Sequence, residues 1–233
     1  MMRQIPNLLT LLNVFCGSCA LVSIQNGRYT EGVIFIAVCL VADYFDGFAA
    51  RLLDAKSDFG RELDSLADIV SFGVVPAMIL YKLITTATPT SLFRHDYAPL
   101  AAFIITAFSA YRLAKFNLDA RQTDGFIGLN TPANTLFFIG LLLIKQNEIS
   151  GLDTLTASPT FLYALIPLSS YLLVSEIPMF SFKIKKLGWS GNEIRFIFAA
   201  AAAALLFLMH EAAILLLVVI YVLLNVGLFF LKK

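Results

Sequence analysis

The sequence predicts an all-α fold, a polytopic transmembrane helix bundle of about eight spans with a six-helix core. Three observations carry that prediction. Of 233 residues, 59% are apolar and 14% charged, where soluble domains run near 45–50% and about 25%. The apolar residues fall into blocks of about the ~20 residues that cross a bilayer. Lys and Arg also collect on alternate connections between those blocks, as they do in membrane proteins. A formal net charge of +1 names no partner, and nothing calls for nucleic acid.

The spans are expected near 7–24, 32–52, 61–84, 97–117, 131–147, 159–180, 193–209 and 212–230. The first is too long for a signal-peptide core and no small-residue cleavage site follows it, so it reads as a membrane helix. Its "CGSC" (Cys16, Cys19) has the spacing of a redox pair but no thioredoxin-like context. Small residues there are expected to pack one helix closely on another. His95 and His210 stand alone, which argues against a histidine metal site. The first six spans hold the polar residues. The last two, rich in Ala, Leu and Val, are joined around His210-Glu211 as a hairpin that reads as scaffold or oligomer surface. The chain therefore divides into a core, 1–182, and a C-terminal hairpin, 183–233, within one membrane domain.

Orientation follows from the positive charges. The N-terminus, the even-numbered connections and the C-terminus carry thirteen of the 17 Lys and Arg residues, among them Arg51, Lys56, Arg61, Arg112, Lys115 and Arg121. The opposite side has Arg28, Lys82, Arg94 and Lys145. Both termini, and the connection between the second and third spans, are expected to face the cytoplasm of a prokaryotic membrane.

That connection lies in "VADYFDGFAARLLDAKSDFGRELDSLAD", residues 41–68, which carries six aspartates. Asp54 and Asp58, with Lys56, Arg61 and Glu62, read mostly as charges of a solvated loop. Asp43, Asp46, Asp64 and Asp68 do not, because they adjoin or lie inside apolar runs. A carboxylate in a membrane helix costs roughly 2.5–3.5 kcal/mol at mid-helix, so it is retained for a function. Asp43 and Asp46 are three apart and Asp64 and Asp68 four apart, so each pair shares a helix face. Two antiparallel helices could bring the pairs together. Four oxygen ligands suit Mg²⁺, Mn²⁺ or Ca²⁺, and two such ions about 3.5–4 Å apart would template displacement at phosphorus. Gly47 and Ala50 form a small-residue stripe beside the aspartates, Arg51 could grip a phosphate, and Gly60 opens the third helix.

The full spacing is D43-x2-D46-G47-x2-A50-R51-x8-G60-x3-D64-x3-D68, eight positions over 26 residues. It resembles the signature of the CDP-alcohol phosphotransferases. "IPNLLTLLNVFCG", "DFGRELDSLADIVSFGVVPA", "YRLAKFN" and "FIGLNTPA" look like the phosphatidylserine synthase branch, with Asn130 where that branch would have Pro. The resemblance covers much of residues 5–133. It implies a divalent-metal enzyme that moves a phosphatidyl group from CDP-diacylglycerol to the hydroxyl of L-serine and releases CMP. Asp43, Asp46, Asp64 and Asp68 become the implied ligands of two Mg²⁺ or Mn²⁺ ions, and Asp68 the implied general base. Asn7, Thr10, Gly47, Ala50, Arg51, Ser57 and Gly60 become implied contacts of the CDP-lipid. A homodimer is a further implication.

A serine carboxylate needs donors or positive charge, and Asn13, Arg112, Lys115 and Arg121 are the candidates. Each also has a plainer reading as a packing or flanking residue. Two alternatives remain open: another acceptor (glycerol phosphate, inositol phosphate or an amino alcohol), and a cation transporter with an acidic intramembrane site. The transporter lacks support from broken helices or inverted repeats.

Overall fold

The computed structural model describes residues 4–88, 97–119, 125–149, 151–180 and 211–231, with seven further positions between 198 and 209. Helix α1 (Ile5–Gln25) carries Pro6 in its first turn, where the missing N–H is harmless. A tight turn through Gly27, at φ 75°, reverses the chain into α2 (Tyr29–Leu52). The two pack closely because small residues face the partner. A Cβ at Gly32 would lie 2.7 Å from the Ile24 side chain; on α1, one at Gly17 would lie 2.5 Å from Ser71 Oγ of the third span. The glycine of "CGSC" is thus a helix-packing position, and Cys16 and Cys39 are buried beside Phe72.

The third span is one 30-residue rod, Asp58–Ala87. It comprises α3 (Asp58–Asp68), a π-helical stretch (Ile69–Val74) and α4 (Val75–Ala87). Ser57 caps α3 by accepting the Gly60 N–H at 3.0 Å, so the helix begins before Gly60. The π stretch has a local cause. Pro76 donates no hydrogen bond, which frees the Phe72 carbonyl four residues earlier. That carbonyl accepts from Thr135 Oγ1 at 3.3 Å, and the Gly73 carbonyl accepts from Thr106 Oγ1 at 3.1 Å. π turns of this kind gather at functional sites, and this one begins directly after Asp68.

A 3₁₀ turn (Ala98–Phe103) leads into α5 (Ile104–Leu118). Helix α6 (Thr131–Gln146) is capped by Asn130, whose side chain accepts the Ala133 N–H at 2.7 Å. Asn at this position therefore supplies the helix start where Pro was expected. A short α7 (Asp153–Ala157) precedes α8 (Pro159–Val174), and α9 (Ala212–Leu231) follows at the C-terminal end. The main core lies where α4 and α6 meet, around Ile79, Leu80, Ile84, Phe138, Leu141 and Leu142. Helix α9 packs on α6 at Gly140, where a Cβ would sit 2.7 Å from the Leu215 backbone nitrogen.

The fold is an all-α polytopic bundle. Four of the described helices are long and apolar enough to cross a membrane. Two expectations need correction. The sixth span does not run to 180: α8 ends at Val174, and Pro178–Phe180 (β2) pairs antiparallel with Gly125–Ile127 (β1). The fourth span begins as a 3₁₀ turn rather than an α-helix. The predicted seventh span, 193–209, lies largely outside the described residues, as do His95 and His210; the described positions between 198 and 209 are helical.

Candidate active site

Helices α2 and α3 both pack on α1, and the carboxylates they carry converge. One carboxylate oxygen from each of Asp43, Asp64 and Asp68 lies within 4.8 Å of the others. Asp68 is 8% exposed and Asp46 5%. Asp64 Oδ1 and Asp68 Oδ1 are buried without a hydrogen-bond partner. Three acidic groups so placed repel one another unless a cation or protons intervene. Asp46 stands beside the three and is held separately, its Oδ2 accepting from Thr10 Oγ1 at 2.6 Å. The sequence spacing pairs all four alike; the structure distinguishes a three-carboxylate cluster from a fourth carboxylate anchored to α1.

Next to the cluster opens a cleft of about 510 Å³ between the start of α1, the end of α2 and the start of α3. Asn7, Thr10, Gly47, Ala50, Arg51, Ser57 and Gly60 all line it, together with Asp46 and Asp64. Gly47 leaves its face open: a Cβ there would lie 3.8 Å from Arg51 Nη1, so the guanidinium lies back over the glycine. A Cβ at Gly60 would lie 3.1 Å from Ser57 Oγ and 3.4 Å from Asn7 Oδ1. The α2–α3 turn is tight, with Asp54 at φ 47°.

Lys56, Asp58 and Arg61, read from sequence mostly as loop charges, stand on the wall of this cleft. Lys56 and Arg61 join Arg51 to give it three cations. Asp58 is engaged by Arg61 at 3.2 Å.

The candidate acceptor residues lie elsewhere. Asn13 is fully buried and both its side-chain polar atoms lack partners, while its carbonyl accepts from Cys39 Sγ and Ser71 Oγ. Arg112, on α5, is 6% exposed. Its Nε and Nη2 are unpartnered, its guanidinium lies 5.7 Å over the Phe116 ring, and its charge interacts with Asp68. Lys115, one turn on, pairs with Glu176. Asn117 ties α5 to α3 by donating to Ser65 Oγ at 2.9 Å. Arg121 lies outside the described residues. None of Asn13, Arg112 and Lys115 lines the cleft.

The CDP-alcohol phosphatidyltransferase family model matches residues 3–179. The chain belongs to that family. Among curated members it is similar to the CDP-diacylglycerol--serine O-phosphatidyltransferase of Bacillus subtilis, at 35% identity over 78% of this chain and 93% of the relative. It is similar to the Helicobacter pylori protein of the same name at 32% identity, over 79% and 74% of the two chains. The like-named Mycobacterium leprae protein is 33% identical over 76% of this chain, and the match spans 58% of that longer relative. The matched region of this CDP-alcohol phosphatidyltransferase contains the carboxylates, the cleft and Arg112, and it ends within β2. Helix α9 lies outside it.

Proposed function

We propose that the protein transfers the phosphatidyl group of CDP-diacylglycerol to the hydroxyl of L-serine, giving phosphatidylserine and CMP. The observation that carries this reading is the Asp43, Asp64 and Asp68 cluster, which meets at Asp64 a cleft lined by the motif residues and by Arg51, Lys56 and Arg61. The names of the relatives favour serine as acceptor. Arg112 favours it too, as a buried, unsatisfied guanidinium beside Asp68 that matches a carboxylate by its planar fork.

In this reading the diphosphate of the donor occupies the cleft. Arg51, Lys56 and Arg61 offset its charge, and Gly47 and Ala50 let it approach the α2 backbone. The acyl chains remain among the apolar helices. The donor set fits a divalent cation: close carboxylates, two of them with an unpartnered buried oxygen, are hard ligands for Mg²⁺ or Mn²⁺. Asp43, Asp64 and Asp68, with Asp46, would hold one or two such ions. Bound there, they would supply Lewis-acid stabilisation of phosphoryl and leaving-group oxygens. Thr10 fixes the Asp46 carboxylate. The serine oxygen attacks phosphorus, the bond to the CMP oxygen breaks, and the serine hydroxyl proton passes to Asp68 as the new O–P bond forms. Arg112 orients the serine carboxylate, and Lys115 adds positive potential nearby. The active site and both termini face the cytoplasm, where CMP and serine are soluble. The protein works as a homodimer within the membrane.

The test is CMP release by purified protein given CDP-diacylglycerol, Mg²⁺ or Mn²⁺, and one acceptor at a time: L-serine, glycerol phosphate, inositol phosphate or ethanolamine. Release with serine at a rate far above that with any other acceptor is expected. Release only with another acceptor would keep the chemistry and overturn the assignment of serine. Release with none would overturn both.

A further inference from the structure

Helix α9 lies beyond the residues that the family model matches, yet it is joined by side-chain hydrogen bonds to the segment whose Glu176 pairs with Lys115 of α5. Both backbone groups of Phe180 are held by this helix. Asn225 Oδ1 accepts the Phe180 N–H at 2.8 Å, and Tyr221 OH donates to the Phe180 carbonyl at 2.9 Å. Asn225 is itself fixed, its amide donating to the Tyr221 carbonyl at 2.7 Å. Asn225 is 2% exposed and Tyr221 5%. Two such residues in an otherwise hydrocarbon helix are expensive unless their bonds matter.

Phe180 ends β2, and its position is passed on in two directions. Along the chain, Ile177 accepts from the Gly128 N–H at 2.9 Å, and the preceding Glu176 pairs with Lys115 on α5. Across the small sheet, Phe126 of β1 packs on Phe116 of α5, ring centroids 6.2 Å apart. Phe116 is the ring under the Arg112 guanidinium. Leu129, Ile177, Met179 and Tyr221 close over the same region as an apolar cluster separate from the main core.

We infer that α9 completes the acceptor side of the active site: by clasping Phe180, Asn225 and Tyr221 position Arg112 and Lys115, and so set the preference for an acceptor that carries a carboxylate. This rests on the proposed transfer to serine. Asn225 and Tyr221 are positioning residues, because they act through the small sheet.

The experiment compares Asn225→Leu and Tyr221→Phe with the wild-type protein in full steady-state CMP-release assays. Asn225→Leu keeps the size and removes the amide. Its KM for L-serine should rise about tenfold, and its preference for serine over ethanolamine in kcat/KM should fall by a similar factor. Its kcat and its KM for CDP-diacylglycerol should stay within about twofold. Tyr221→Phe removes one of the two bonds to Phe180 and should shift the same parameters by a smaller factor; it carries the test alone if Asn225→Leu does not accumulate as folded protein. Asn225→Gln, which restores an amide, should recover part of the serine affinity. An unchanged KM for serine, or an equal loss toward both substrates, would overturn the inference and leave α9 as packing only. A wild-type protein that released no CMP with serine would instead overturn the proposed function, and this inference with it, before any variant was measured.

Discussion

Helices α2 and α9 are both long, apolar and able to cross a membrane, but they treat their polar residues in opposite ways. On α9, Asn225 and Tyr221 spend their hydrogen-bonding capacity on backbone groups of Phe180 and on each other. On α2 and its partner α3, the carboxylates face one another, and Asp64 and Asp68 each keep an oxygen that no protein group satisfies. A satisfied polar residue in a membrane helix specifies packing. An unsatisfied acidic cluster is a site waiting for a ligand, since burying a charge without a partner is costly. Polarity alone does not separate the two cases; partnership does.

That contrast can be broken or sharpened by substitution. The largest effects belong to the carboxylates. Asp43→Asn or Asp64→Asn should lower kcat by roughly 100- to 1000-fold, the scale of losing one preorganised electrostatic group, with the protein still folded by circular dichroism. Asp68→Asn should abolish CMP release while leaving CDP-lipid binding largely intact, measured by retention of labelled CDP-diacylglycerol. Near-normal turnover in that variant would remove Asp68 from the proton transfer. Next comes Arg112→Met, which should raise the KM for serine about 10- to 100-fold, the worth of a charged hydrogen bond, and leave the KM for CDP-diacylglycerol nearly unchanged. Thr10→Val removes the 2.6 Å bond to Asp46 and should cost about 1–2 kcal/mol in kcat/KM, roughly tenfold. The smallest effect should come from Asn130→Ala, which deletes the α6 cap. A stability loss of about 1 kcal/mol is expected from thermal unfolding in detergent, with little change in catalysis.

Much of the architecture is legible in the sequence because hydrocarbon length dictates it. The first three spans, read as 7–24, 32–52 and 61–84, correspond to helices at Ile5–Gln25, Tyr29–Leu52 and Asp58–Ala87. The pairing of Asp43 with Asp64 and Asp68 is legible too, since spacings of three and four on antiparallel helices bring carboxylates face to face. Other features depend on contacts between distant segments. The β1–β2 pairing involves three residues on each side, too few for a periodic pattern, and its last residue, Phe180, bonds to α9. The π stretch has a sequence cause in Pro76, but its satisfaction by Thr106 and Thr135 requires α5 and α6. The separation of Asp46 from the other three depends on Thr10, a residue from a different helix. Lys56 and Arg61 were hidden by composition: a charged loop looks the same in sequence whether it faces bulk water or rims a cleft.

The measurement that tests the account most directly is serine-dependent CMP release before and after removal of divalent cations. With CDP-diacylglycerol and L-serine, chelation should reduce release by at least about 100-fold, and added Mg²⁺ or Mn²⁺ should restore it. Serine-dependent release that persisted unchanged in the chelator would contradict the assignment of the carboxylate cluster as a metal centre.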